Sequence, residues 1–125
     1  MANTTVLIMD DEEMVGEIAC QMLKFIGLEA HHVLDGRAAV DEYVRRFRSG
    51  IPFGFVIMDL TIPGGIGGRE AVTEILAIDP SAKVVVSSGY STDPIMTNYS
   101  EYGFRGVIGK PFDLAALQSI VDQMA

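Results

Sequence analysis

Short apolar runs alternate with stretches of helical periodicity along the whole chain, and that alternation leaves few possible architectures. Thr4 to Met9, Phe53 to Met58 and Lys83 to Ser87 read as buried strands, with Glu29 to Leu34 a weaker strand and Gly106 to Gly109 a minimal one. After each the apolar period changes from strand to helix. Val15, Ile18, Ala19, Met22 and Ile26 fall on one side of a first helix closed by Gly27, with Glu17, Cys20, Gln21 and Lys24 on the other. Asp35-Gly36 opens a second helix carrying Ala39, Val40, Tyr43, Val44 and Phe47, which ends at Ser49-Gly50. A third starts near Arg69, turns Ala71, Val72, Ile75 and Leu76 inward, and stops at Asp79-Pro80. Thr92-Asp93-Pro94 opens a short fourth helix reaching about Tyr102, because a capping residue precedes a proline suited to the first turn. Asp113 caps a fifth, with Leu117, Ile120, Val121 and Met124 as its apolar stripe. Strict strand-helix alternation with strands apolar on both faces predicts an α/β fold, a doubly wound parallel sheet with helices on both sides.

The chain has 125 residues, enough for one core and too few for two, so residues 1–125 are read as one domain. Seventeen acidic residues against nine Lys and Arg give a net charge of -8, which disfavours direct nucleic-acid binding because a phosphate backbone selects basic clusters. No apolar run approaches the roughly 20 residues of a membrane span. The start, Met1-Ala2-Asn3-Thr4-Thr5, lacks the basic segment of a signal peptide, so a cytoplasmic domain is expected, without membrane insertion. Cys20 has no second cysteine to pair with, so neither an internal disulfide nor a thiolate pair for zinc is available.

In an open parallel sheet the place for chemistry is the crevice beyond the carboxyl ends of the strands. Those ends carry Asp10 and Asp11 after the first strand, Asp59 after the third, Ser87 and Ser88 after the fourth, and Lys110 after the fifth. Three carboxylates in one place repel, and a cation relieves that repulsion. An oxygen-only donor set favours Mg²⁺ over zinc, and Mg²⁺ keeps positions open for water and a phosphoryl group. A carboxylate can act as nucleophile to form an aspartyl phosphate, a reaction that asks the protein mainly for positioning and positive charge. Lys110 would supply charge, and Ser87 could donate a hydrogen bond to a phosphoryl oxygen.

Each residue alone has an ordinary explanation. Asp10-Asp11 suits the positive end of a helix, Asp59 a turn at a strand end, and Lys110 the surface. Their joint occurrence at successive strand ends favours one site. Gly64, Gly65, Gly67 and Gly68 form no phosphate-binding loop, since neither the Gly-Lys-Ser/Thr ending nor the GxGxxG spacing is present, and they read as a flexible connection beside the site. His31 and His32 are neighbours on a strand, so they face opposite sides and do not suit a shared metal. No acid-flanked helical histidine motif marks either as a phosphodonor. Tyr99 and Tyr102 read as half-buried packing near the fourth helix.

Asp10-Asp11, the VIMD ending at Asp59, VVVSSG through Ser87, and Lys110-Pro111 resemble the receiver domains of two-component response regulators over essentially the whole chain. The resemblance implies a flavodoxin-like five-stranded sheet of order 2-1-3-4-5 with five helices. It implies that Asp59 is the phosphoacceptor, that Asp11 coordinates Mg²⁺ directly and Asp10 largely through water, and that Asp59 and the backbone carbonyl of Thr61 complete the metal shell. Ser87 would be the switch hydroxyl and Lys110 the catalytic lysine, and the bond before Pro111 would be cis. The implied function is a phosphoacceptor switch that catalyses only its own phosphorylation and dephosphorylation, taking its phosphoryl group from a histidine kinase or histidine phosphotransfer domain. A homodimer through the fourth helix, fifth strand and fifth helix is a further implied partner. MDLTIPGG, SSGYS and GVIGKPF are similar to receivers of hybrid sensor histidine kinases, with a stand-alone response regulator as the alternative.

The sequence departs from the family pattern in two respects. Val107 stands where receivers commonly place Tyr or Phe, three residues before the lysine, so an aromatic-rotamer switch is not expected. Thr61 and Gly89 occupy positions tied to hydrolysis, two after the acceptor and two after the switch hydroxyl, and neither offers an acid or amide to hold an attacking water. Two other classes share features of this site. A flavin-binding protein of the same fold would need a phosphate cradle after the first strand, where two acids stand. An aspartyl-nucleophile phosphatase would want an acid at the position of Thr61.

Overall fold

The computed structural model describes residues 4–60, 67–89 and 94–124, apart from the side chains of Pro94 and Met96. Its strands are β1 (Thr5–Met9), β2 (Glu29–Val33), β3 (Phe55–Asp59), β4 (Val84–Ser88) and β5 (Gly106–Gly109). All pair in parallel in the order β2-β1-β3-β4-β5. The helices are α1 (Glu13–Ile26), α2 (Gly36–Arg48), α3 (Gly68–Ile78), α4 (Pro94–Thr97) and α5 (Leu114–Met124).

The sheet sorts its side chains by the two-residue period of a strand. Leu7, Met9, Val56, Met58, Val84 and Val86 face one way and bury Ala39, Val40 and Tyr43 of α2 with Ala71, Val72 and Ile75 of α3. Val6, Ile8, Phe55, Ile57, Val85 and Ile108 face the other way and bury Ala19 and Leu23 of α1 with Leu117, Ile120 and Met124 of α5. Every residue of β1, β3 and β4 is buried, which is why these strands read as continuous apolar runs. The β2 strand lies at the sheet edge and is only partly covered.

Helix ends follow local chemistry. Asp35 accepts a hydrogen bond from the Ala38 N–H at 2.8 Å, and Asp113 one from the Ala116 N–H at 2.7 Å. Gly27, at φ 109°, closes α1 in the left-handed conformation. The Thr92-Asp93 cap expected for the fourth helix lies outside the described residues.

Three details differ from the sequence expectation. The buried line of α1 is Gly16, Ala19 and Leu23, while Ile18 is 46% exposed. The helix is rotated so that its smallest residue lies against the sheet, which carries Ile18 to the rim. Phe47, in the last turn of α2, is likewise largely outside the core. The fourth helix is a single α-turn, followed by a 3-10 turn over Tyr99–Tyr102 that Gly103 closes at φ 94°. Among the described residues, four longer helices and one single-turn helix therefore stand where five helices were expected.

Asp79, buried where α3 gives way to β4, accepts hydrogen bonds from the Tyr43 hydroxyl at 2.7 Å and from the Ser81 N–H at 3.1 Å and hydroxyl at 3.0 Å. Burial, then the hydrogen bond and charge of Asp79, push the Tyr43 phenol well above its ordinary pKa, so it stays a donor. Tyr43→Phe removes the donor and leaves a buried carboxylate oxygen short of a partner. A loss of about 1.5–3 kcal/mol of folding stability is expected by denaturant titration.

Candidate functional site

The parallel register brings the strand ends level. Met9 pairs with Val33 on one side and Met58 on the other, Asp59 pairs with Ser87, and Ser88 with Gly109. Asp10 and Lys110 each follow directly on a strand, so both fall on the edge where Asp59 and Ser87 lie.

Lys110 reaches back over this edge and holds two of the acids. Its Nζ lies 2.7 Å from Asp10 Oδ2 and 3.1 Å from Asp59 Oδ2. The second contact is an aligned hydrogen bond. The first is a charge contact without hydrogen-bond alignment, which leaves Asp10 Oδ2 buried and without an aligned donor. Asp10 is 1% exposed and Asp59 7%, whereas Asp11 faces solvent. Asp10 Oδ1 accepts from the Glu12 N–H at 3.0 Å, which fixes the turn into α1.

One ammonium does not balance three carboxylates. Burial, opposed by the Lys110 hydrogen bond and charge and reinforced by the charges of Asp10 and Asp11, raises the Asp59 carboxyl above the usual aspartate range. Burial works against the charge on Lys110, yet its interactions with Asp10 and Asp59 outweigh it and raise the ammonium. The ion pair is therefore unequal. Two acids hold the lysine charged, while Asp59 shares that lysine with a neighbour and bears the full cost of its own burial; the site as a whole is short of positive charge.

Oxygens of Asp10, Asp11 and Asp59 lie within 4.8 Å of one another. An oxygen-only set of this size, with a buried oxygen lacking an aligned donor, fits a hard divalent cation. Thr61, the other expected ligand, lies outside the described residues.

Ser87, 1% exposed, donates from Oγ to the Met58 carbonyl oxygen at 3.4 Å, at the long limit of a hydrogen bond. Val107 pairs with Val86 and packs, partly buried, on the α2 and α3 side of the sheet. The Lys110–Pro111 peptide is cis. Tyr102 is half-buried, with the Arg69 guanidinium 5.3 Å from its ring centre.

Two glycines shape the site in ways that sequence spacing does not reveal. A Cβ on Gly68 would lie 2.8 Å from the Asp59 carbonyl oxygen, so only glycine lets α3 start this close to the acceptor strand. Glu70 reaches back to the Gly67 N–H at 3.3 Å, a one-sided cap because glycine has no side chain to return it. Gly68 is thus a packing requirement rather than part of a flexible connection, while Gly64 and Gly65 lie outside the described residues. Gly16 faces the ring of His32, which a Cβ there would overlap. The only sequence signal for either is a glycine inside or at the start of a helical pattern.

A sequence model of the response regulator receiver domain matches residues 6–122. The chain is 32% identical over 108 residues to the chemotaxis protein CheY of Thermotoga maritima, covering 86% of this chain and 85% of that protein. It is 31% identical over 110 residues to the protein CcdB of Bacillus subtilis, covering 88% of each. The receiver domain of a sensor histidine kinase from Pseudomonas aeruginosa, solved with a magnesium ion in its active-site cleft, matches with a TM-score of 0.84 at 23% identity over 98% of both chains.

The charge imbalance has a measurable consequence. A carboxyl whose native pKa is raised destabilises the fold once it ionises, so the cost is present above the native pKa and disappears as pH falls through it. Asp59→Asn is therefore expected to raise the melting temperature in metal-free buffer at neutral pH. The gain over wild type should vanish below the ordinary aspartate range, as thermal melts across pH would report.

Proposed function

Because the chain belongs to the response regulator receiver family, we propose that residues 1–125 form one receiver domain, a phosphoacceptor switch in which Asp59 takes a phosphoryl group from a phosphohistidine. The observation that carries this is Lys110 Nζ lying between Asp10 and Asp59 on a crowded, buried carboxylate edge. An Asp59 oxygen attacks phosphorus, the P–N bond of the donor breaks as the P–O bond forms, and the departing imidazole nitrogen takes up a proton. Lys110 pairs with the incoming phosphoryl oxygens while remaining tied to Asp10. Asp10, Asp11, Asp59 and the Thr61 carbonyl would hold Mg²⁺, which when bound neutralises charge on the phosphoryl oxygens and on the acids.

The product places new negative charge beside Ser87. The Ser87 hydroxyl, whose bond to the Met58 carbonyl is long at 3.4 Å, can leave that carbonyl and donate to a phosphoryl oxygen at little cost. Val107 has no polar atom and no ring to swing, so the shift would pass through the β4 and β5 backbones toward the α4, β5 and α5 face, with Tyr102 and Phe104 as the aromatic neighbours there. Phosphorylation then biases a pre-existing equilibrium between two arrangements. The donor is a histidine kinase or a histidine phosphotransfer domain, a homodimer would form through that same face, and the location would be cytoplasmic. The domain would come from a hybrid sensor histidine kinase, with a stand-alone regulator as the alternative. It is not an enzyme beyond its own phosphorylation and dephosphorylation.

Incubation with acetyl phosphate and Mg²⁺ is expected to add one phosphoryl group by mass, and chelator or Asp59→Asn to abolish the addition. Absence of any Mg²⁺- and Asp59-dependent labelling would sink the proposal. Mg²⁺ at a hundred times its dissociation constant should stabilise the wild-type fold by about 2.7 kcal/mol. With Thr61 and Gly89 at the two positions tied to hydrolysis, the phosphoryl group should persist well beyond seconds at room temperature, and loss within seconds would contradict this.

A further inference from the structure

The His32 ring meets the main chain of the acidic turn. The β1 and β2 pairing ends at Met9 and Val33, so Asp10 lies just beyond the ladder. Its N–H still donates to the Val33 carbonyl at 3.1 Å. Its own carbonyl is met by a side chain instead: His32 Nε2 lies 2.8 Å from Asp10 O. A carbonyl oxygen only accepts, so the ring nitrogen carries the hydrogen and donates it. Besides Lys110 at its Oδ2, Asp10 is thus held by Val33 at its N–H, by His32 at its carbonyl and by the Glu12 N–H at its Oδ1.

The ring reaches this position because α1 offers no side chain in its way. Gly16 sits against the imidazole, and a Cβ there would overlap Nε2, Cε1 and Cδ2. The two residues form a lock, with a histidine on the edge strand and its slot one turn into the helix that follows the acids. His31, its neighbour, points to the other face, where its ring meets Phe53 edge-on at 5.9 Å and its Nδ1 lies 3.8 Å from Glu42.

We infer that His32, seated on Gly16, is a positioning residue for the divalent cation: its hydrogen bond to the Asp10 carbonyl sets the orientation of the turn that presents Asp10 and Asp11. The inference rests on the proposed function, in which those acids hold Mg²⁺. Partners that orient metal-ligating groups commonly change metal affinity by about 10–100-fold when removed. His32 acts on the backbone of a ligand rather than on its carboxylate, so the lower end of that range applies.

The test is calorimetric titration with Mg²⁺ alone, on wild type, His32→Ala, His32→Gln and Gly16→Ala, with metal-free melting temperatures measured in parallel. His32→Ala is expected to weaken Mg²⁺ about tenfold. His32→Gln, whose amide can donate to the same carbonyl, should recover most of that loss. Gly16→Ala, which displaces the ring while leaving it in the chain, should weaken Mg²⁺ as His32→Ala does. A merely structural role would lower the melting temperatures and leave the dissociation constants equal, and that result would overturn the inference. A Gln variant as weak as the Ala variant would overturn it too, because packing rather than the hydrogen bond would then be responsible. If His32→Ala fails to fold, Gly16→Ala and His32→Gln decide the matter by the same criteria. Wild type that neither binds Mg²⁺ nor is labelled by acetyl phosphate on Asp59 would instead remove the proposed function, and this inference with it.

Discussion

Lys110 shared between Asp10 and Asp59 is the contact on which the remaining structure depends. Two carboxylates buried almost completely at the end of a parallel sheet would be costly without a cation beside them. The lysine follows the far strand, β5, and reaches past the ends of β4 and β3 to the turn after β1, so it ties the ends of β5, β3 and β1, which are distant in sequence. Asp59 nevertheless remains disfavoured as an ion, because one ammonium serves two buried acids with a third close by. A site left short of positive charge favours a cation, and a fully satisfied salt bridge would have nothing to gain from one.

The main chain around the acids is held as firmly as their side chains. Gly68 allows α3 to begin against the Asp59 carbonyl, and Gly16 allows the His32 ring to meet the Asp10 carbonyl. In both places the absence of a Cβ matters through contact distance rather than backbone conformation, since the positive-φ glycines among the described residues are elsewhere, at Gly27, Gly50 and Gly103. Close approach to the backbone fixes where a carboxylate points far better than side-chain packing could, because it leaves fewer rotatable bonds between scaffold and ligand.

The parallel sheet, the two-sided core and the residues gathered at the site were legible because they rest on local regularities, whereas the strand order came only with the resemblance to receiver domains. Period-two burial in VLIM and FVIMD demands cover on both faces, right-handed crossovers supply it, and successive strand ends then converge. The rotation of α1 was not legible in the same way. Its apolar residues outnumber those a single buried face can hold, so Ile18 and Leu23 compete, and the outcome falls to whichever orientation sets Gly16 against His32. The fourth helix stops short of the expected end near Tyr102 because Tyr99–Tyr102 form a 3-10 turn between Asn98 and Gly103, and a capping sequence specifies where a helix starts but not how far it runs.

By itself the sequence determined the α/β alternation, the parallel sheet and the set Asp10, Asp11, Asp59, Ser87 and Lys110, since each follows from periodicity or from position at a strand end. Only the tertiary structure decided which acids are buried, that Lys110 divides itself between two of them, and that His32 rather than another strand satisfies the Asp10 carbonyl. The physical reason is one of range. Periodicity acts over a few residues, whereas the electrostatics and close contacts of the site join groups 22, 29 and 51 residues apart, and those contacts exist only once the strands have been laid side by side.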